Sequence, residues 1–135
     1  MSTRSYIGKK LSDGQVKYIY CHFDGYPSHN GVILKEHYNT EEKVDQLLEL
    51  GNLSSLGEEI GEKQEFGLEG NERWCVAFGR DRGESGNEAN VAPLEEIIGD
   101  QSYTYVFENG EWRWFSLSQV WHKLPSAKQV AVSYA

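Results

Sequence analysis

The sequence predicts an α+β fold in one domain. The expected architecture is an antiparallel sheet of about five strands, built from two hairpins and a central strand, with two or three helices packed on one face. Three observations carry this reading. Asp13-Gly14 and Asn109-Gly110 each lie between runs rich in β-branched and aromatic residues, a strong short-range hairpin signal. Residues 39–51 have the pattern of a capped amphipathic helix. The chain has 135 residues with 39% hydrophobic and 13% aromatic content, which supports a core of ordinary size and argues against disorder.

Taken in order, residues 5–9 and 16–22 are two strands around Ser12-Asp13-Gly14. In the second, Tyr18, Tyr20 and His22 alternate with Lys17, Ile19 and Cys21, so one face is aromatic and ends in His22. Asp24-Gly25-Tyr26-Pro27 turns the chain. Ser28 or Asn30 is expected to cap a short helix holding Val32, Ile33, Leu34 and His37. Asn39, with Glu42 three residues on, resembles a capping box; Val44, Leu47 and Leu48 share a face and Gly51 is the stop. Residues 51–73 read as an ordered loop anchored through Leu53 to Ile60.

Trp74 to Phe78 is an apolar strand running into a polar loop, 79–87, with three glycines. Pro93 is expected to open a short helix with Leu94, Ile97 and Ile98 inward and Gly99 at its end. Residues 103–107 and 111–115 form the second hairpin. The tail from Ser116 is expected to hold a helix through Val120, Trp121 and Leu124, ended by Pro125. There is no internal repeat and no low-complexity linker.

Residues 41–72 hold ten acids and two bases, which accounts for the whole net charge of −8. The remainder is balanced, so the basic footprint of a nucleic-acid-binding protein is absent. No apolar run is long enough for a membrane span, and MSTRSYIGKK has no apolar signal-peptide region. An intracellular location is therefore expected. Cys21 and Cys75, both in apolar strand-like runs, are expected to be buried free thiols.

The stretch CHFDGYPSHNG, residues 21–31, is the densest in chemistry. His22, Asp24 and His29 are metal-ligand types, but the histidines lack the i, i+4 spacing of a zinc-protease helix and no second cysteine is near. Cys21 and His22 are adjacent on a strand and point to opposite faces, so they make no thiolate pair. The Glu-Glu pairs at 41/42, 58/59 and 95/96 read as solvated faces. Neither a metal, nor a cofactor, nor catalysis is expected.

Anion binding is the stronger reading. Arg80 and Arg82 flank Asp81 among Gly79, Gly83 and Gly86, and Arg4 precedes the first strand. Guanidinium forks match phosphate, and glycines let backbone amides approach an anion. Tyr18, Tyr20, Tyr26 and Phe78 offer stacking faces for a base. The competing structural reading has Asp81 salt-bridging an arginine within a tight connection. The acidic segment, in turn, offers a negative surface to a basic protein.

MSTRSYIG, the Asp-Gly hairpin and IYCHFDGYPSHNG, followed by HYNTEEKV, LGNLSSLGEEIG and GRDRGE, resemble small accessory proteins encoded by bacteriophages and prophages. The resemblance spans residues 1 to about 84 and, more loosely, reaches the hairpin at Asn109-Gly110. Where this chain has Phe23 the pattern more often has Trp, a change that keeps an aromatic ring. The tail beyond Phe115 lies outside it. Most such proteins carry no assigned activity, so the resemblance implies a setting: small phage proteins without enzyme motifs often counter host defences. Some sequester a cyclic-nucleotide or ADP-ribose signal, and others block a defence protein such as a CRISPR effector.

The combined expectation is a non-enzymatic counter-defence protein in the host bacterial cytoplasm that sequesters a small nucleotide signal. In it Arg4, Arg80 and Arg82 hold phosphate, Tyr26 or Phe78 stacks a base, and His22, Asp24 and Asn30 hydrogen-bond base or ribose. A pocket shared between copies of a homo-oligomer would let so small a chain enclose a ligand. The alternative is an inhibitor that binds a defence effector through residues 41–72.

Overall fold

A computed structural model describes residues 3–63 and 73–116, together with the backbone of 121–123. The first hairpin forms as expected. Strands β1 (Ser5–Lys10) and β2 (Gln15–Cys21) pair antiparallel, with Ile7 opposite Ile19. The second, β6 (Tyr103–Glu108) and β7 (Glu111–Ser116), turns through Asn109 and Gly110 at φ 53° and 76°. Two successive positive φ values suit the twist of a two-residue hairpin, and Asn-Gly adopts them readily.

What joins the hairpins departs from the expectation. β1 pairs with β6 in parallel, from Ser5–Tyr103 to Lys9–Phe107, so the sheet is mixed rather than antiparallel. Among the described residues it holds eight strands rather than about five. With β3 (Leu53–Ser55), β4 (Val76–Ala77) and β8 (Trp121–Lys123), the order is β4-β3-β2-β1-β6-β7-β8. A further strand, β5 (Asn90–Pro93), pairs antiparallel with β2 beside that path. The α+β class holds.

Both faces of the sheet are covered. On the first lie Ile7, Ile19, Cys21, Tyr105, Phe107 and Trp112, packed against Leu34 and Tyr38 and against Val44, Leu47 and Leu48. Leu34 belongs to α1 (Val32–His37), and the last three to α2 (Glu41–Glu49). Each fully buried leucine here contributes roughly 1.5–3 kcal/mol. On the second face, Val16, Val106 and Phe115 pack against Leu94, Ile97 and Ile98. The first two of these are in α4 (Leu94–Ile97), so helices are not confined to one face.

Several local expectations shift. The expected short helix is α1, and neither Ser28 nor Asn30 caps it: its N-cap is Gly31, with no side-chain cap. A π-helical turn, Pro27–Gly31, leads directly into α1, and Asn30 is buried inside it. Thr40, not Asn39, caps α2, its hydroxyl accepting from Lys43 N–H at 3.3 Å. Pro93 ends β5 in an extended conformation rather than starting the helix. The expected central strand 74–78 is reduced to β4, away from the sheet centre, because Phe78 already begins α3 (Phe78–Arg82). Trp121–Lys123 is a strand paired with β7, not part of a tail helix. The rest of that expected helix lies outside the described residues.

The loop after α2 carries the unforeseen organising residue. One edge of β2 is shared: β5 takes Gln15 to Tyr18, and β3 begins at Cys21. Asn52 fills the step between them. Its Oδ1 accepts from Tyr20 N–H at 2.9 Å and its Nδ2 donates to Asn87 Oδ1 at 3.3 Å. Its own backbone N–H donates to Asn87 O at 2.7 Å, and its carbonyl accepts from Phe78 N–H at 3.1 Å. The glycines of LGNLSSLGEEIG make this closeness possible. A Cβ on Gly51 (φ 76°) would fall on the Asn87 carbonyl oxygen, and one on Gly61 on the Trp74 ring.

Both cysteines are fully buried free thiols. Cys75 Sγ receives Gly57 N–H at 3.3 Å and lies 3.4 Å from Tyr38 Oη, whose hydrogen goes to Gly57 O at 2.7 Å. Burial pushes both thiols up, Cys21 to about 12, and pushes the Tyr38 phenol up as well.

Two outcomes follow from these contacts. Asn52→Ala should cost about 1–3 kcal/mol, chiefly by stranding the Tyr20 N–H, and urea unfolding measures it. The unfolded thiol titrates near its ordinary value of 9.0 and the folded Cys21 only near 12. The unfolded chain thus loses protons first, and stability should fall as pH rises through that window. Urea midpoints measured across it, with Cys21→Ala as the comparison, read the size of the loss.

Candidate functional site

The stretch 21–31 is an anchored turn. His22 N–H and Phe23 N–H extend the pairing with β3, donating to Leu53 O and Ser54 O, each at 3.0 Å. Gly25 N–H donates to Thr3 O at 2.8 Å, and Gly25 O accepts from Tyr105 Oη at 2.6 Å. Asn30 holds the turn from within. Its Nδ2 donates to Phe23 O at 3.3 Å and faces Cys21 Sγ at 3.4 Å, while Oδ1 meets His29 Nδ1 at 3.0 Å. At 0% exposure, and with both amide atoms bonded inside, Asn30 is a loop-fixing residue. Asp24 sits at φ 56°, a conformation aspartate tolerates better than most, and its Oδ1 accepts from Tyr26 Oη at 3.3 Å.

Past this turn, the second face of the sheet presents an aromatic strip. Tyr20 Oη and His22 Nδ1 are hydrogen-bonded at 2.7 Å. The His22 ring meets Phe23 edge-on at 4.6 Å, and Phe23 is 43% exposed. The sheet register places Tyr6 opposite Tyr20, and the Tyr6 ring lies 4.7 Å from Tyr18. Arg4 is exposed just beyond β1, on the same side as Tyr6 by alternation. Burial raises the Tyr20 hydroxyl, and the nearby Arg4 charge works against that rise. The strip thus combines a cation, an imidazole and several half-exposed rings.

The second expected group has divided roles. Arg80 is held inside the fold. Its guanidinium donates to Ile60 O and Cys75 O, each at 2.8 Å, and to Asp81 Oδ1 and Oδ2 at 3.0 and 3.3 Å. The Asp81 carboxylate also accepts from Ala77 N–H at 2.7 Å, and its side chain is wholly buried. This pair turns β4 into α3. The salt-bridged connection weighed from the sequence is therefore present at Arg80, and its donors face the protein rather than a ligand. Arg82 lies nearer the surface, with Nε 2.8 Å from Glu84 Oε2 and the guanidinium 5.7 Å from the Phe78 ring centre. Gly83, at φ 70°, closes α3.

The two loops do not meet within the chain. β3 separates them, and they depart toward opposite ends of it: residues after Cys21 run along β3, while Phe78 continues β4 antiparallel to it. Arg4 and Phe78 stand at the ends of β1 and β4, three strand spacings or about 14 Å apart. The structure therefore gathers Arg4 with His22, Asp24 with Tyr26, and Phe78 with Arg82, as separate groups. Tyr6 was missed as a member of the aromatic strip, although the hairpin register set by Asp13-Gly14 puts it beside Tyr20.

A cleft of about 520 Å³ opens at the other end of the sheet, lined by Lys9, Leu11, Asn39, Thr40, Phe107 and Asn109 among others. Its cations are already neutralised, Lys9 by Glu41 at 2.7 Å and Asp45 at 2.9 Å, and Lys10 by Glu108 at 3.2 Å. Among the described residues, no three His, Cys, Asp or Glu side chains converge as a metal cage requires. No helix among them is long and apolar enough to cross a membrane.

Comparison with protein-family models, with curated proteins and with solved structures gives no match.

The two arginines should separate in mutagenesis. Arg80→Ala strands a buried carboxylate and two carbonyls, so a loss of about 3–5 kcal/mol is expected. Arg82→Ala loses an exposed pair with Glu84 and the contact with the Phe78 ring, and should shift stability by about 1 kcal/mol or less. Chemical denaturation of the two variants beside the parent chain reads both.

Proposed function

We propose that this protein is a non-enzymatic, phage-encoded counter-defence protein. It works in the host bacterial cytoplasm by binding and sequestering a small nucleotide signal of the cyclic-nucleotide or cyclic ADP-ribose type. The observation that carries the reading is the strip Arg4–Tyr20–His22–Phe23: an exposed guanidinium beside half-exposed rings held in place by the Tyr20–His22 hydrogen bond. Rings of this kind stack on a base, and a guanidinium takes a phosphate in a bidentate grip. Asp24 and Tyr26 border the strip and supply ribose or base contacts. Arg80 leaves the phosphate-holding set because its donors are used internally.

Arg82 and Phe78 form a second cation–ring pair that one protomer cannot bring to Arg4. The two-fold oligomer expected of so small a chain would bring Arg82 and Phe78 of one copy toward Arg4 of another.

A second reading rests on the exposed row Glu41, Glu42, Asp45 and Glu49 of α2. It makes the chain an acidic inhibitor of a basic defence effector. Glu58 and Glu59 are engaged with Arg73, at 3.2 and 3.9 Å, so Glu42 and Glu49 are the better residues to neutralise.

Native mass spectrometry with a panel of cyclic di- and trinucleotides and cyclic ADP-ribose isomers tests the first reading. An unmodified nucleotide at fixed stoichiometry is expected, together with an even-numbered oligomer. Arg4→Ala should weaken retention at least about tenfold, the scale of one lost charge-assisted contact, with melting unchanged. A converted nucleotide would make the protein an enzyme. An empty protein across the panel would favour the acidic-face reading.

A further inference from the structure

Four aspartyl- or asparaginyl-glycine steps occur among the described residues: Asp13-Gly14, Asp24-Gly25, Asn30-Gly31 and Asn109-Gly110. Such steps share one reaction. The glycine nitrogen attacks the preceding side-chain carbonyl carbon, and glycine permits it because no side chain crowds the approach. The reaction needs a free nitrogen and a side chain able to swing toward it.

The fold restrains three of the four. Gly14 N–H donates to Leu11 O at 3.0 Å, and Asp13 Oδ1 is taken by Gln15 N–H at 3.0 Å. Gly25 N–H donates to Thr3 O at 2.8 Å while Asp24 Oδ1 accepts from Tyr26. Asn30 is buried with both amide atoms bonded. The fourth differs on every count. Asn109 and Gly110 are both exposed at the tip of the β6–β7 hairpin. The pairing closes at Glu108–Glu111 and leaves the Gly110 N–H out of the backbone hydrogen bonding.

We propose that Asn109 is a self-modification site, the position at which the folded protein deamidates. Hydroxide removes the Gly110 amide proton, and the nitrogen attacks Asn109 Cγ. The new C–N bond expels the side-chain nitrogen as ammonia and leaves a five-membered succinimide. Water opens the ring at either carbonyl, giving aspartate or isoaspartate at position 109. No redox partner is involved.

The consequence is local and directional. A carboxylate appears between Glu108 and Glu111, on the rim of the cleft where Lys10 already binds Glu108 at 3.2 Å. The isoaspartate product also inserts a backbone carbon into a turn set at φ 53° and 76°. The aged protein is therefore more acidic at this end of the sheet and has a loosened second hairpin.

Two tryptic peptides report the competing asparagines, residues 18–35 for Asn30 and 83–113 for Asn109. The folded protein is held at mildly alkaline pH and sampled over time. Mass spectrometry with fragmentation then locates each amide-to-acid change. Asn109 should convert at least about tenfold faster than Asn30, because Asn30 reacts only through local opening. In denaturant the two rates should converge. Equal rates in the folded protein, or an intact Asn109 there with conversion only in denaturant, would overturn the proposal. Asn109→Gln should slow the change at this position without altering the rate at Asn30.

Discussion

The part of the sheet from β2 to β4, with β5, depends on how one edge of β2 is completed. Two different strands share that edge, and a strand exchange leaves a backbone step that neither can pair. Asn52 closes the step with its side-chain amide while its backbone ties in Asn87 and Phe78. A buried N–H without a partner costs free energy on the scale of a whole hydrogen bond, so the step has to be filled. The positive φ of Gly51 and the closeness of Asn87 belong to the same arrangement. So does α3, which starts where the Asn52 carbonyl receives Phe78.

From that arrangement comes the division of the polar residues into scaffold and surface. Asn30, Arg80 and Asp81 are interior groups whose hydrogen bonds fix backbone, and they are what makes two irregular connections rigid. His22, Phe23, Tyr26 and Arg82 stand outside on those connections, and Arg4 just before β1. For the function proposed here, a fixed support under half-exposed rings would lower the ordering cost of binding a flat ligand. The same support places Arg4 with the aromatic strip and Arg82 with Phe78 at divergent ends of the sheet.

Much of this was legible in the sequence wherever the cause is local. Asp13-Gly14 and Asn109-Gly110 specify their hairpins through turn geometry alone, and α2 declares itself by Val44, Leu47 and Leu48 on one face. The aromatic alternation ending at His22 was readable for the same reason. What depends on distant partners was not. Nothing near Ser5 announces Tyr103, so the parallel pairing that turns two hairpins into a mixed sheet is invisible locally. Residues 74–78 look like a full strand until Asp81 bends the chain at Ala77. Arg80 and Arg82 are two residues apart and of one type, yet only Ile60 and Cys75, supplied by other segments, decide that the first is internal.

The parallel contact between β1 and β6 also sets the order of assembly. Each hairpin needs only its own neighbours and can close on the microsecond scale. Ser5, however, must find Tyr103, 98 residues further along a chain of 135, and a loop of that length is costly to close before its contacts form. During synthesis the first hairpin therefore emerges with the β1 edge open and stays so until β6 has left the ribosome. For that interval an unpaired strand edge is exposed, and crowding or a slow pause in translation lengthens the time in which it can pair with the wrong partner.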